Sequence, residues 1–294
     1  MKIEHVGKRG IVFTFDDLST PEYDCPTNVY VINADKNFYI CDTFLGPASM
    51  KDVKNYLKEN FSEKPFIIFN SHSHWDHHWG NCAFPNSKII AHELCLEKIR
   101  QKAEEELERN KKFLRGKVVI TPPNLLFKHN LNFEEDGIKL FHTPGHTEDS
   151  SSCYDAQDNI LFAADNIEEP IPYLNSTLEE LHTYIDSVKK YLELKAIIVI
   201  PGHGKISDNS LIEKNLEYLE NFPELAELVN IEKNGKPFYL VHISNLSSVA
   251  NKMVEAENNN QAKNLYQKIL EIAKEINYEN KEALSNIKQK MELL

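Results

Sequence analysis

Ser71-His-Ser-His-Trp-Asp-His-His-Trp-Gly-Asn81 follows directly on the apolar run Pro65-Phe-Ile-Ile-Phe69. It gathers His72, His74, Asp76 and His77 within six residues. Four ligand-type groups are costly to bury without partners, so a strand that delivers them to one turn reads as a metal site and not as core. Imidazole nitrogen and carboxylate oxygen are donors that zinc accepts while keeping a coordination position open.

Outward from this turn, three further segments end predicted strands. They are Thr143-Pro-Gly-His146-Thr147, Asp165 after Leu161-Phe-Ala-Ala164, and His203 in Pro201-Gly-His-Gly204. Together with the first cluster they supply five histidines and two aspartates. Each sits just past an apolar run, so all seven can converge on one edge of a sheet sandwich. His92, His129, His142 and His182 read as surface or internally satisfied residues, and His78 as a support or surface residue beside the cluster.

The elements around these segments follow from periodicity. Alternation and turn residues predict strands at 10–15, 28–32 and 38–41, the last two joined by Ala34-Asp-Lys-Asn37. Helical spacing follows over residues 50–60, then strands at 65–69 and 88–91 and a long charged helix over about 93–114. Further strands are predicted near 117–120 and 137–142, with a hairpin around 155–158. Leu178, Leu181, Ile185, Val188 and Leu192 recur at three- and four-residue steps, predicting a helix over 178–194 before the apolar strand at 196–200. Beyond residue 205 the pattern is helical: a helix over 210–222, a linker at 232–237, and an apolar stripe of Ala262, Leu265, Tyr266, Ile269, Ala273 and Ile276.

Composition narrows the function classes. With 294 residues, 41% hydrophobic and 27% charged, the chain has the make-up of a globular protein of one large domain, with or without an appendage. No apolar run approaches the roughly 20 residues that span a bilayer, and the opening residues lack an apolar signal core. A net charge of −12 argues against the Lys- and Arg-driven part of nucleic-acid binding. Cys25, Cys41, Cys82, Cys95 and Cys153 are scattered, odd in number and without a Cys-x-x-Cys pair, which suits free thiols in a reducing cytoplasm. Cys82 and Cys153 lie near ligand candidates in the sequence, although small buried hydrophobes are the simpler reading.

His72, His74, Asp76 and His77 meet the His-x-His-x-Asp-His signature of the metallo-β-lactamase superfamily, which the chain resembles over roughly residues 10–225. The strand hairpin ending at Asp42-Thr43, the Thr-Pro-Gly-His-Thr segment, the aspartate after an apolar strand and the late Gly-His occur in family order. The resemblance implies an α+β fold, a four-layer αββα sandwich over residues 1–230, with a C-terminal helical extension over 231–294. It assigns His72, His74 and His146 to one divalent ion and Asp76, His77 and His203 to a second, with Asp165 bridging and with Asp76 and Asp165 as the catalytic carboxylates. Asp42 matches a position that supports the ligand turn, an ordinary hairpin-end aspartate being the alternative.

Two ions, zinc with iron or manganese as alternatives, would share a hydroxide that attacks a small ester, thioester or lactone. Members that hydrolyse β-lactams generally lack an aspartate at the place of Asp165, which points away from antibiotic hydrolysis. The His74-Trp-Asp-His stretch with Gly80-Asn81 looks like the hydroxyacylglutathione hydrolases, whereas Pro-Gly-His-Gly differs from their last motif. In lactonases a tyrosine overhangs the metals, and Tyr173 stands where one could bind substrate; packing within its loop is the other reading. A mononuclear iron persulfide dioxygenase shares the signature and is the alternative function, with a metal-dependent nuclease behind it. The expected partner is a small-molecule substrate, with neither nucleic acid nor membrane, and homodimerisation stays open. The charged stretch 93–115 is either a flap beside the metals or a solvated helix on the outer face.

Overall fold

A computed structural model describes residues 1–21, 23–222 and 231–294. Strands β1 (Lys2–Val6), β2 (Gly10–Phe15), β3 (Thr27–Asn33), β4 (Phe38–Cys41), β5 (Phe66–Phe69), β6 (Lys88–His92) and β7 (Leu125–Phe127) lie side by side in chain order. The first four pair antiparallel, and β4 to β7 pair parallel. A second sheet holds β8 (Asn130–Phe133), β9 (Ile138–His142), β10 (Ser151–Asp155), β11 (Ile160–Ala164) and β12 (Ile198–Pro201), antiparallel except for the parallel β11–β12 pair.

Strands with little polar alternation mark a sheet covered on both faces. Val12, Tyr30, Ile32, Cys41, Phe69 and Ile90 of the first sheet meet Leu140, Cys153, Phe162 and Ile200 of the second in the middle layer. Their neighbours Ile11, Phe13, Val29, Val31 and Ile40 point the other way, to Met50, Val53 and Leu57 of helix α1 (Pro47–Asn60). The outer face of the second sheet, through Leu161, Ala163 and Val199, meets α4 (Leu181–Leu194) and α5 (Asn209–Asn221). Helix, sheet, sheet, helix is the layering expected of the chain.

The short α2 (Trp75–His78) carries part of the histidine turn, and α3 (Glu93–Arg109) follows β6. Helix α3 buries Cys95, Ile99 and Ala103 on Ala91 of β6, so it belongs to the outer layer. Beyond its end, the 3-10 turn Lys111–Phe113 reaches the histidine-bearing segment, where Phe113 stacks on Trp75 at 5.3 Å between centroids. Of the two readings of the stretch 93–115, the helix on the outer face is the one seen, and the residues after it pack on Trp75.

Four differences separate the structure from the sequence reading. Residues 117–120 form no strand; the last parallel strand of the first sheet lies at β7 instead, and Asn81 Nδ2 donates to the Thr121 carbonyl at 3.0 Å. Strands β1 and β8 were unexpected because edge strands bury one face at most and so carry polar residues. The predicted linker at 232–237 is mostly helical. Helix α6 (Ile231–Glu255) runs through it with one break, at Gly235 (φ 78°), two residues before Pro237. Helix α4 also starts later than predicted, behind a reciprocal cap in which Thr177 N donates to Glu180 Oε2 and Glu180 N to Thr177 Oγ1.

Helices α7 (Asn259–Glu275) and α8 (Lys281–Glu292) complete the described chain. The predicted stripe from Ala262 to Ile276 is buried, and it shares one apolar cluster with Tyr239 and Leu246 of α6, Tyr184 of α4 and Leu161 of the second sheet. No helix among the described residues is long and apolar enough to cross a membrane. Because Ile269 is fully buried in that shared cluster, Ile269→Ala should lower global stability by about 2–5 kcal/mol. Urea denaturation followed by circular dichroism checks the size of the loss and whether the chain still unfolds in one transition.

Candidate metal centre

Four strand ends deliver the ligand candidates to one edge of the sandwich: β5 leads to His72, His74, Asp76 and His77, β9 to His146, β11 to Asp165 and β12 to His203. One of these ends, at Ala164 before Asp165 (φ 48°), and the neighbouring end of β4, at Asp42 (φ 63°), turn through the left-handed region. An aspartate tolerates that region, whereas an alanine there costs on the order of 1 kcal/mol, which the surrounding contacts must offset. The turns aim both carboxylates at the histidines.

The side chains fall into two groups whose ligand atoms lie within 4.8 Å of one another: His72, His74, His146 and Asp165 in one, and Asp76, His77 and His203 in the other. His74 Nδ1 and His146 Nε2 are 3.1 Å apart. His203 Nε2 lies 3.4 Å from Asp76 Oδ2. Asp165 Oδ2 is 3.2 Å from His77 Nε2, 3.4 Å from His72 Nε2, 3.6 Å from His203 Nε2 and 3.7 Å from His146 Nε2. All seven predicted ligands are thus brought together. Every one is buried except His74, which is partly exposed.

A second ring of groups fixes which imidazole nitrogen faces inward. His77 Nδ1 donates to Asp42 Oδ2 at 2.7 Å. Ser71 Oγ donates to the same oxygen at 2.7 Å and lies 3.0 Å from His72 Nδ1. His203 Nδ1 meets Thr27 Oγ1 at 3.1 Å and Cys25 Sγ at 3.5 Å. His146 Nδ1 donates to the Tyr173 carbonyl at 2.8 Å, and Asn166 Oδ1 accepts from His146 N at 2.9 Å. Outer partners of this kind orient metal-binding imidazoles and raise their basicity. Asp42 is therefore a supporting carboxylate and not an ordinary hairpin end.

The donor set fits divalent cations on an internal observation. His72 Nε2, His77 Nε2 and Asp165 Oδ1 are buried without a hydrogen-bond partner, and buried polar atoms of that kind call for a ligand. Donor separations of 3.1–3.7 Å suit nitrogens and oxygens that each lie about 2.0–2.2 Å from a shared ion.

Charge in the metal-free cluster is divided unevenly. Burial, then the nearby His77, pushes His72 well down, and burial with His146 brings His74 to about 4. His146 is lowered by burial as well. Burial also opposes charging of His77, but Asp165, Asp76 and Asp42 outweigh it and raise the group well above 6.5. For His203, burial is likewise outweighed, by Cys25, Asp165 and Asp76. On the acid side, burial raises Asp76 and Asp165, yet His77 and His203 overcome it, taking Asp76 to about 2 and Asp165 well below its usual range. Protons on His77 and His203 thus stand where cations would.

Several residues here escaped the sequence reading. Thr27, Ser71 and Asn166 hold ligands, and Cys25, not Cys82 or Cys153, is the thiol beside the site. Cys82 donates to the Trp79 carbonyl, and Cys153 is buried in the middle layer. His78 is neither surface nor ligand: it is 1% exposed and its ring nitrogens have no partner. Glu168 is fully buried, accepts from Tyr173 N at 3.1 Å and is raised to about 8 by burial and by Asp165. The one available signal was adjacency, since Ser71 precedes His72 and Asn166 follows Asp165. As for Tyr173, its carbonyl holds His146, and its half-buried ring sits edge-on to Tyr23 at 6.3 Å.

A sandwich with a histidine and aspartate cluster at one sheet edge defines a class of metal-binding proteins. The chain matches the metallo-beta-lactamase superfamily over residues 23–203 and belongs to that family. It is 25% identical over 233 residues to a beta-lactamase-like protein 2 homolog of Caenorhabditis elegans, a match spanning 74% of this chain and 70% of the relative. An N-acyl homoserine lactonase of a Bacillus species is 30% identical over 153 residues, which span 48% of this chain and 56% of that enzyme. Among solved structures, a metallo-beta-lactamase from Pontibacter korlensis superposes with a TM-score of 0.62 at 19% identity, covering 75% of this chain and 99% of that one. That likeness concerns the fold.

Two outcomes follow. A Cβ on Gly202 would lie 1.9 Å from Asp165 Oδ1, so Gly202→Ala should displace that carboxylate and lower metal content at least about tenfold, read by elemental analysis of the purified variant. Because cations must displace the protons held by His77 and His203, uptake should release protons at neutral pH. Affinity should then rise with pH until these raised groups have lost their protons; calorimetry in two buffers of different ionisation heat measures the release.

Proposed function

We propose that the protein is a dinuclear metal-dependent hydrolase of a small ester, thioester or lactone. The observation that carries the reading is the place of Asp165, whose single oxygen Oδ2 faces histidines of both ligand groups at 3.2–3.7 Å. One ion needs no such shared oxygen. The resemblance of part of the chain to an N-acyl homoserine lactonase supports a carbonyl substrate. When bound, two divalent cations, zinc by donor type with iron or manganese as alternatives, supply Lewis acidity toward a carbonyl oxygen and an activated water.

The chain's own residues do the rest. Asp42, Ser71, Thr27 and the Tyr173 carbonyl hold the imidazoles in one tautomer, so that ordering costs little at the moment of reaction. Asp76, with its pKa near 2, stays an anion at any physiological pH and offsets cationic charge. Burial of six of the seven ligands keeps bulk water away, while the partly exposed His74 marks the side from which a substrate arrives. The Tyr173 phenol is the proposed substrate contact, since its half-buried ring belongs to the residue whose carbonyl orients His146.

A panel of thioesters, lactones, aryl esters and phosphodiesters offered to zinc-reconstituted protein tests the reading. Turnover of a carbonyl ester is expected; one iron per chain and no zinc in protein purified without added metal would overturn it and favour the iron dioxygenase. Asp76→Ala and Asp165→Ala should each reduce metal content and hydrolysis at least about tenfold, and two retained metals with full activity would refute the assignment. Tyr173→Phe removes the phenol and keeps the carbonyl. It should raise KM about two- to tenfold, the worth of one hydrogen bond, with metal content unchanged.

A further inference from the structure

Residues 170–176 connect Asp165 to α4 without regular structure, yet they supply the carbonyl that orients His146. Side chains hold this loop. Glu168 Oε1 accepts from Tyr173 N at 3.1 Å, and Ser176 Oγ donates to the Gly145 carbonyl at 2.9 Å. The closest grip comes from outside the family-matched region. Asn245 of α6 donates from Nδ2 to the Pro172 carbonyl at 2.9 Å and accepts at Oδ1 from Leu174 N at 2.8 Å. Its amide therefore clasps the chain on both sides of Tyr173, much as a neighbouring strand would.

That amide is itself held. Asn245 Nδ2 also meets Tyr218 Oη at 2.9 Å, and Tyr218 Oη lies 2.9 Å from His242 Nδ1. Burial takes His242 down to about 4, so it stays neutral beside the phenol, whose oxygen accepts from Asn245. Asn245 is 1% exposed and His242 fully buried. At the surface, Lys252 of the same helix donates to the Asn175 carbonyl. From His146 to His242 the contacts form an unbroken path: imidazole, Tyr173 carbonyl, flanking backbone, Asn245, Tyr218, His242.

We infer that Asn245 is a positioning residue for the His72, His74 and His146 cation site, and that the C-terminal helices thereby form part of the metal centre. A buried asparagine that merely satisfied a loop would need no particular residue between its two bonds. Here the residue it frames is the one whose carbonyl fixes a ligand tautomer. Loss of the clasp frees Tyr173 to move and lets His146 turn, while His77 and His203 keep their own partners Asp42 and Thr27. The inference rests on the proposed two-cation reading of the site.

The test is a cobalt(II) titration of the intact, demetallated chain, read by visible d–d absorption and by calorimetry. The wild type should take up two equivalents, with His146→Ala and His203→Ala marking which equivalent belongs to which site. Asn245→Ala should weaken the His146 site about 10- to 100-fold and leave the other unchanged. Tyr266→Phe, which removes a hydrogen bond to Asn251 in the same helices, should change neither. Tyr218→Phe takes away one partner of the Asn245 amide and carries the same test, at about threefold, if Asn245→Ala does not fold. An unchanged His146 site in folded Asn245→Ala, or equal weakening in Tyr266→Phe, would overturn the inference. A single equivalent that His146→Ala abolishes would sink the two-cation reading and still read out Asn245. Uptake indifferent to His146→Ala would overturn both.

Discussion

Asp165 sits buried among four imidazoles, and that arrangement constrains the rest of the structure. A carboxylate removed from water needs compensating positive charge or hydrogen bonds, and the histidines need the same of it. In the metal-free chain, protons on His77 and His203 provide the balance. Cations would replace those protons, so the cluster is stable only as a set. Every strand end that contributes to it is held in register by the two sheets behind it.

The sandwich supplies this register cheaply. Its middle layer is apolar and close-packed, so the strands cannot slide without exposing side chains. Polar chemistry is pushed to the one edge where strands end and backbone groups need partners. Asp42, Ser71 and Thr27 meet that need by fixing imidazole orientation, and Asn166 meets it by accepting from the His146 backbone. Close approach of the Gly202 backbone to Asp165 shows how little room the edge leaves.

The helices beyond residue 230 share the apolar cluster that covers the second sheet. Tyr218 and Asn245 lie against that cluster as polar groups whose side-chain atoms all have partners. Polar residues in such a place are costly unless satisfied, and once satisfied they impose one geometry. That geometry extends to the loop carrying Tyr173, which links the helical extension to the candidate site.

The candidate cluster and the layering were legible in the sequence, because a histidine-rich turn after an apolar strand and unbroken apolar strands are local patterns. Edge strands β1 and β8 were not, since one-sided burial leaves no clear period. Nor was the helical run through 232–237, where Gly235 and Pro237 suggested a linker although only Gly235 leaves the helical path. By itself the sequence determined which residues are chemically able to bind cations, since that is a property of side chains in short segments. Only the tertiary structure decided that Asp165 faces both histidine groups, that Cys25 and not Cys153 stands at the site, and that Asn245 braces Tyr173. Those facts depend on distances between strands and helices far apart in the chain, which packing sets and no local pattern encodes.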